Sequence, residues 1–96
     1  KLPVETYRKL AGSYEFYGGA KLIVTVDTDS VTAKLDGNGR MYFDANKVYR
    51  LTPAENGLFV IESPGREVIR FDPTGGQISG LTLNPGPWAI HAEKKP

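Results

Sequence analysis

Short stretches in which apolar and polar residues alternate recur along the chain from Tyr14 to Ile90. Nearly every gap between two such stretches holds a turn-forming combination of Gly, Asn, Asp or Pro. The block Val68–Leu83 shows this most clearly, because its two alternating halves flank Asp72-Pro73-Thr74-Gly75-Gly76. Alternation with a period of two is typical of β-strands, and short turns join such strands into hairpins. The pattern therefore predicts an all-β domain.

We expect eight or nine antiparallel strands, connected in chain order as an up-and-down meander. The strands are predicted at residues 13–17, 20–26, 31–35, 41–43, 48–51, 58–61, 67–71, 77–83 and 88–92. On the second and third of them the side chains expected to face inward are Ala20, Leu22, Val24, Val26, Val31, Ala33 and Leu35. A small closed barrel and a two-sheet sandwich both produce this alternation, so both remain open.

One predicted strand departs from simple alternation. Ile78 has one parity, whereas Leu81 and Leu83 have the other. A β-bulge near Ser79-Gly80 would bring all three side chains to the core face, and glycine tolerates the backbone of a bulge. We therefore predict a bulge at this point.

The N-terminal residues carry the one helical pattern of the chain. Val4, Tyr7 and Leu10 are spaced to share one face of a helix. Pro3 suits a first helical turn and Gly12 suits a C-terminal stop. We expect a short helix here that plugs or flanks the sheet.

The 96 residues have room for one domain with one core. We expect the short helix and lead-in at 1–12, the β-meander at 13–92 and a tail at 93–96. Lys94-Lys95 is expected to be a solvated part of that tail. Because the chain begins with Lys1 rather than Met, we expect a domain cut from a longer polypeptide or a processed mature protein.

Charge and composition exclude several classes of protein. Twelve basic and eleven acidic side chains give a net charge of +1, without the basic stripe of a nucleic-acid binder. The chain has no cysteine, so it has neither disulfides nor a thiolate metal site. No apolar stretch approaches the roughly 20 residues that a membrane-spanning helix needs. We therefore expect no nucleic-acid partner and no membrane span.

No set of residues in the sequence predicts catalysis. Each serine has a residue other than lysine three positions later, which excludes the Ser-x-x-Lys pair of β-lactamase-type acylation. His91 is the only histidine, and it is expected at the surface or barrel rim. Without a second histidine or any cysteine, a transition-metal site is not expected. We predict a protein that is not an enzyme and holds no cofactor.

Two turns that contain aspartates could, as an alternative, bind a cation. Asp36-Gly37-Asn38-Gly39 resembles part of a calcium loop, but Arg40 occupies a position that needs an oxygen ligand, and a hairpin turn fits better. Asp27 and Asp29 flank a second turn and could form a weak site with a neighbouring loop.

Glu67 has the parity of the inward-facing Ile69 and Phe71. A buried carboxylate needs a partner, for which the sequence offers Arg50 or Arg66. A structural ion pair and a functional carboxylate both fit this position.

The aromatic residues are the strongest lead to a ligand site. Eight strands enclose a barrel whose interior is either filled by side chains or holds one small ligand. In the first case the rings form the core, and in the second they line an apolar pocket or the barrel mouth. The residues predicted to line such a pocket are Tyr14, Phe16, Tyr42, Tyr49 and Trp88.

Two blocks of sequence resemble a known family. Leu10-Ala11-Gly12-Ser13-Tyr14-Glu15 matches an L-x-G-x-Y-E opening, and Ile69–Leu83 resembles an F-x-x-D-x-x-G-x-I-x-G-L-x-L ending. Both belong to a small all-β module found at the C-terminus of β-lactamase-like serine hydrolases and some peptidases in bacteria. The chain departs from that pattern at Gly86-Pro87-Trp88, before its last strand.

The resemblance implies a lipocalin-like antiparallel barrel in a secreted or periplasmic setting, and it implies no active site. Our first hypothesis is a non-catalytic accessory domain that supports or caps the catalytic domain of the same polypeptide, a larger bacterial hydrolase. The alternative is a free-standing barrel that binds an apolar or aromatic small molecule, or a protein partner at its rim.

Overall fold

The computed structural model describes residues 7–28, 30–36, 47–63, 65–87 and 89–95. In this part of the chain eight strands form one closed, antiparallel barrel in which each strand pairs with its neighbours in sequence. The strands are β1 Gly12–Phe16, β2 Lys21–Val26, β3 Val31–Asp36, β4 Val48–Pro53, β5 Leu58–Ile61, β6 Val68–Thr74, β7 Gln77–Leu83 and β8 Ile90–Lys95. A single 3₁₀ turn at Glu55–Gly57 joins β4 to β5. The all-β prediction and the up-and-down topology are confirmed.

Closure of the barrel decides between the two architectures that the alternation left open. β1 pairs with β8 in the antiparallel sense, with Ser13 opposite Lys95 and Phe16 opposite Ala92. The first strand is thereby joined to the last, so the structure is a barrel and not a sandwich.

The predicted inward-facing residues form the core. Leu22, Val24, Val31, Ala33 and Leu35 are all at most 2% exposed. Ala20, just before β2, and Val26, its last residue, are half-buried and pack against the same core. Apolar residues at alternate positions therefore drive the assembly of β2 and β3, as expected from burial of apolar area.

The bulge in β7 is confirmed. Asp72 of β6 pairs with Gly80, whereas the next residue, Pro73, pairs with Ile78, so Ser79 is the extra residue. Leu81 is fully buried, and Ile78 is half-buried against the core. The extra residue thus lets Ile78 and Leu81 both face the core, although their spacing in sequence differs from simple alternation.

The short N-terminal helix is not seen. Residues 2–6 of the predicted helix lie outside the described residues. The part that is described is one turn, in which the amides of Leu10 and Ala11 bond to the carbonyls of Tyr7 and Arg8. This turn lies across the end of the barrel, where Tyr7 and Leu10 are 6% and 7% exposed. The chain enters β1 directly after it.

The predicted tail is also corrected. Residues 93–95 belong to β8, because they pair with Ser13, Tyr14 and Glu15 of β1. Lys94 is held further by a 3.0 Å hydrogen bond from its Nζ atom to the carbonyl of Lys9. The predicted strand at 41–43 and the Asp36–Gly39 hairpin fall largely on residues outside those that the structure describes, as does Asp29.

Candidate functional site

Three of the five residues predicted to line a pocket lie in the barrel core. Tyr14, Phe16 and Tyr49 are 0%, 3% and 5% exposed. The ring of Tyr14 meets that of Phe71 edge-on, with centroids 5.7 Å apart. These rings fill the barrel interior, which is the first of the two arrangements expected for eight strands. Tyr42 and Trp88 lie outside the described residues.

The polar end of Tyr14 is also occupied. Its hydroxyl donates a 2.6 Å hydrogen bond to the main-chain carbonyl of Leu10. Burial raises the pKa of the Tyr14 phenol well above its usual range, because the charged form would lose its hydration. This hydroxyl therefore anchors the N-terminal turn and is not directed at a ligand.

A cleft of about 610 Å³, here called the end cleft, opens where the N-terminal turn crosses the barrel. Its apolar wall consists of Tyr7, Val31, Leu51, Pro53, Leu58 and Phe59. Arg50, Thr52 and Glu62 supply polar groups on the same wall. The ring of Tyr7 packs edge-on against that of Phe59 at 6.0 Å, so one side of the cleft continues into the core. The sequence pattern assigned Tyr7 to a helix stripe and did not point to this cleft.

A second feature is a polar cluster on the outer face of β6, β7 and β8. Thr82 lies between Arg70 and His91 in register across the three strands. The Thr82 hydroxyl donates to Oδ2 of Asp72 at 2.7 Å, and Arg70 Nε donates to Oδ1 of the same carboxylate at 2.9 Å. Neighbouring side chains cover Thr82 so completely that it is 1% exposed, although it points away from the barrel interior.

The hydrogen bonds of Thr82 determine the tautomer of His91. The single hydroxyl proton of Thr82 is donated to Asp72, because a carboxylate can only accept. Nδ1 of His91, 2.9 Å from the Thr82 oxygen, must therefore be the donor. Neutral His91 then presents an unprotonated Nε2 to the solvent side of the ring. His91 is exposed, as predicted for a rim or surface residue.

The partner of Glu67 is not an arginine. Its Oε1 accepts a 2.6 Å hydrogen bond from Nδ2 of Asn84, whose Oδ1 accepts from the amide of Val68. Asn84 has a φ of 52°, which asparagine adopts more easily than most residues. The half-buried Glu67 is thus part of a structural clamp between the start of β6 and the end of β7.

A third feature was missed by the sequence interpretation. Tyr17, directly after β1, is 104% exposed, whereas its neighbour Phe16 is buried. A cleft of about 490 Å³, here called the outer cleft, lies beside it on the barrel surface. The side chains and turn residues around it include Glu15, Tyr17, Gly18, Gly19, His91, Glu93 and Lys95. The opposite parity of Phe16 and Tyr17, next to two glycines, was the available signal.

The structure brings together no recognisable catalytic or metal centre among the residues it describes. No group of three or more His, Asp or Glu side chains in the described ranges could hold a metal ion. Within those ranges, no helix has the length and apolar character to span a membrane.

The fold and its surfaces define the chain as a small up-and-down β-barrel with a packed interior. No family model, curated protein or solved structure matches this chain. Among the described residues, side chains of the core occupy the barrel interior, whereas the end cleft, the outer cleft and the polar cluster lie at its end and on its outer face.

Proposed function

We propose that this barrel is a non-catalytic accessory domain of a larger secreted or periplasmic bacterial hydrolase, and that it supports or caps the catalytic domain. The observation that carries the proposal is the combination of a filled interior with an apolar cleft at one end of the barrel. A domain of this form offers an external surface on which a neighbouring domain can dock.

Several residues of the two blocks that carry the family resemblance have structural roles in the fold, which is compatible with such a function. In the opening block, Leu10 is buried and its carbonyl accepts the hydrogen bond of Tyr14. In the closing block, Gly75 and Gly76 have the positive φ values of a tight hairpin turn, 61° and 85°. Gly80 lies so close to β8 that a Cβ atom would be 2.5 Å from the carbonyl oxygen of Ala92. A motif built for folding suits a module that is attached to different enzymes.

The end cleft is the surface that we assign to docking. The N-terminal turn at Tyr7–Leu10 lies at this end of the barrel, and Tyr7 itself lines the cleft. Leu58 and Pro53 on its wall are half-buried and exposed, respectively, which leaves apolar surface for a neighbour to cover. Arg50 on the same wall offers a donor to a carboxylate of that neighbour.

The proposal is tested first on the native polypeptide, by intact-mass measurement in source cells. We expect a mass several times 10.5 kDa. A native mass near 10.5 kDa would contradict the accessory-domain proposal.

Docking is then tested in that native polypeptide with Leu58→Asp, which places a charge on the cleft wall. Its matched control is Val48→Asp on the outer face of β4, where Val48 is 60% exposed. We expect Leu58→Asp to increase hydrogen exchange in residues 51–59 and to lower the Tm of the catalytic domain, while Val48→Asp changes neither. Equal behaviour of the two variants would exclude docking at the end cleft.

The alternative function, binding of an apolar small molecule, is favoured by one observation. The volume of the end cleft lies within the roughly 300–1,000 Å³ of small-molecule sites. The ligand would then contact Tyr7, Leu58 and Phe59, which line the end cleft, whereas Tyr14, Phe16 and Tyr49 do not line it. Titration of the free barrel with a hydrophobic dye separates the two functions, because only this alternative predicts saturable binding that Leu58→Asp abolishes.

A further inference from the structure

The turn that follows β1 keeps the Tyr17 side chain exposed to solvent. The amide of Gly19 bonds to the carbonyl of Phe16 at 3.0 Å, and the amide of Phe16 bonds to the carbonyl of Ala20 at 2.8 Å. Gly18 and Gly19 have φ values of 101° and 98°, which glycine adopts without strain. Apart from the adjacent residues, no atom lies within 4 Å of a Cβ built on either glycine. The rest of the barrel therefore does not crowd this turn.

The outer cleft next to this ring contains both hydrogen-bond donors and acceptors. Lys95 Nζ lies 2.9 Å from Glu93 and 3.9 Å from Glu15. The hydrogen bond to Glu93 raises the pKa of Lys95, so its amine stays protonated as a donor. The Glu93 side chain is 77% exposed and offers carboxylate oxygens. His91 adds Nε2, which in the neutral ring is an acceptor because Nδ1 donates to Thr82.

The charge of the outer cleft limits the class of ligand. Two carboxylates and one ammonium group face it, so the excess of negative charge disfavours phosphates and other polyanions. A simple amine would have to displace Lys95 from the carboxylates it already bridges. Uncharged hydroxyl groups, which both donate and accept, fit this mixture best.

We propose that Tyr17 and the outer cleft form a binding site for an uncharged saccharide. The apolar face of a pyranose ring packs on the phenol ring of Tyr17, while the sugar hydroxyls bond to Glu93, Lys95 and Nε2 of His91. This role does not depend on the accessory-domain proposal, because the outer cleft and the end cleft share no lining residue.

A protein partner fits this surface less well. Only Tyr17 and Val48 are exposed large hydrophobic side chains among the described residues, and they lie on different strands or turns. A stable protein interface buries roughly 800 Å² on each partner around a central apolar cluster. An isolated aromatic ring beside polar groups is better matched to one or two sugar rings.

The test is a ¹H–¹⁵N NMR titration of the 96-residue chain with two uncharged probes, a β-1,4-linked glucose tetrasaccharide and a β-1,4-linked N-acetylglucosamine tetrasaccharide. We expect at least one probe to shift the amide signals of residues 15–19 and 91–95 in a saturable manner. Tyr17→Ala should weaken that binding about tenfold or more, and Tyr17→Phe should retain it because the ring remains. Val48→Ala serves as the matched control and should have no effect.

Because Tyr17 is fully exposed, none of these substitutions should unfold the barrel, and unchanged spectra away from the site will verify this. The proposal is overturned if neither tetrasaccharide shifts the signals of residues 15–19 and 91–95. It is equally overturned if Tyr17→Ala binds as tightly as the unmodified chain, or if the shifts cluster at residues 51–59 of the end cleft instead.

Discussion

The hydroxyl of Tyr14 and the carbonyl of Leu10 form a 2.6 Å hydrogen bond inside a part of the barrel where both residues are at most 7% exposed. This bond ties the N-terminal turn to β1 across four residues of chain. Without it, the Leu10 carbonyl has to find another partner or stay unsatisfied in an apolar environment. We expect Tyr14→Phe to lower the free energy of unfolding by about 1–3 kcal/mol, measured by urea denaturation. Tyr17→Phe, on a fully exposed ring, is the control and should change it by less than about 0.5 kcal/mol.

The same phenol makes the barrel sensitive to alkali. The pKa of Tyr14 is raised in the folded state, so the folded barrel keeps this proton at a pH where the unfolded chain has lost it. Its contribution to stability is complete below the ordinary tyrosine pKa of about 10 and is lost progressively as pH rises above that value. We expect the stability difference between the unmodified chain and Tyr14→Phe to shrink between about pH 10 and pH 12. A stability difference that is constant over this interval would contradict the raised pKa of Tyr14 in the folded state.

The Thr82–His91 contact predicts a spectroscopic signature. With Thr82 donating to Asp72, neutral His91 carries its proton on Nδ1, the less common tautomer of a solvated histidine. The ¹⁵N chemical shifts of the neutral imidazole should show this tautomer. Thr82→Val preserves the buried shape, and we expect it to return His91 to the Nε2–H form. Identical nitrogen shifts in both proteins would show that Thr82 does not control the ring.

The close approach of β7 and β8 predicts the effect of a single methyl group. In Gly80→Ala the new Cβ would be 2.5 Å from the carbonyl oxygen of Ala92, so main chain has to move. We expect a loss of about 1–3 kcal/mol in thermal or urea unfolding. Gln77→Ala, at an exposed position of the same strand, should cost about 0.5 kcal/mol or less. Similar losses for the two variants would argue against the tight strand contact.

The Glu67–Asn84 contact predicts that the stability of the variant Asn84→Asp depends on pH. Asn84→Asp replaces the amide that donates to Glu67 with a second carboxylate, so at neutral pH two like charges face each other. Their repulsion raises the carboxyl pKa values in the folded state, and the stability lost at pH 7 should return as pH falls toward about 4. Asn84→Ala lacks the second charge, and its deficit relative to the unmodified chain should vary much less over that range. Parallel pH profiles for both variants would contradict the contact.

The strands and the bulge could be predicted because they depend on neighbours in sequence. Side-chain parity alone places Leu22, Val24 and Leu35 in the core, and the break in parity at Ile78 requires the extra residue found at Ser79. Closure of the barrel could not be predicted in the same way. It depends on pairing between β1 and β8, which no local pattern encodes.

The surface features could not be predicted from the sequence either, because they also depend on which strands become neighbours. The outer cleft exists because closure brings Glu15 and Tyr17 of the first hairpin next to His91 and Glu93 of β8. The cluster around Thr82 needs the registers of β6, β7 and β8 at once. Whether Phe16 and Tyr49 fill the interior or line a pocket depends on how side-chain volumes add up in three dimensions, and alternation along the chain says nothing about it.

The pairing of Ser13 with Lys95 also governs how the chain reaches its final form. During synthesis β1 emerges before the other seven strands, and the hydrogen bonds at its outer edge form only after β8 has been made. Contacts so distant in sequence slow folding, since a long loop must close before they contribute. Until then the edges of β1 and β7 are both open to strands from other molecules, which is a common start of aggregation. A nascent or truncated chain without β8 is therefore the form of this protein most exposed to misassembly.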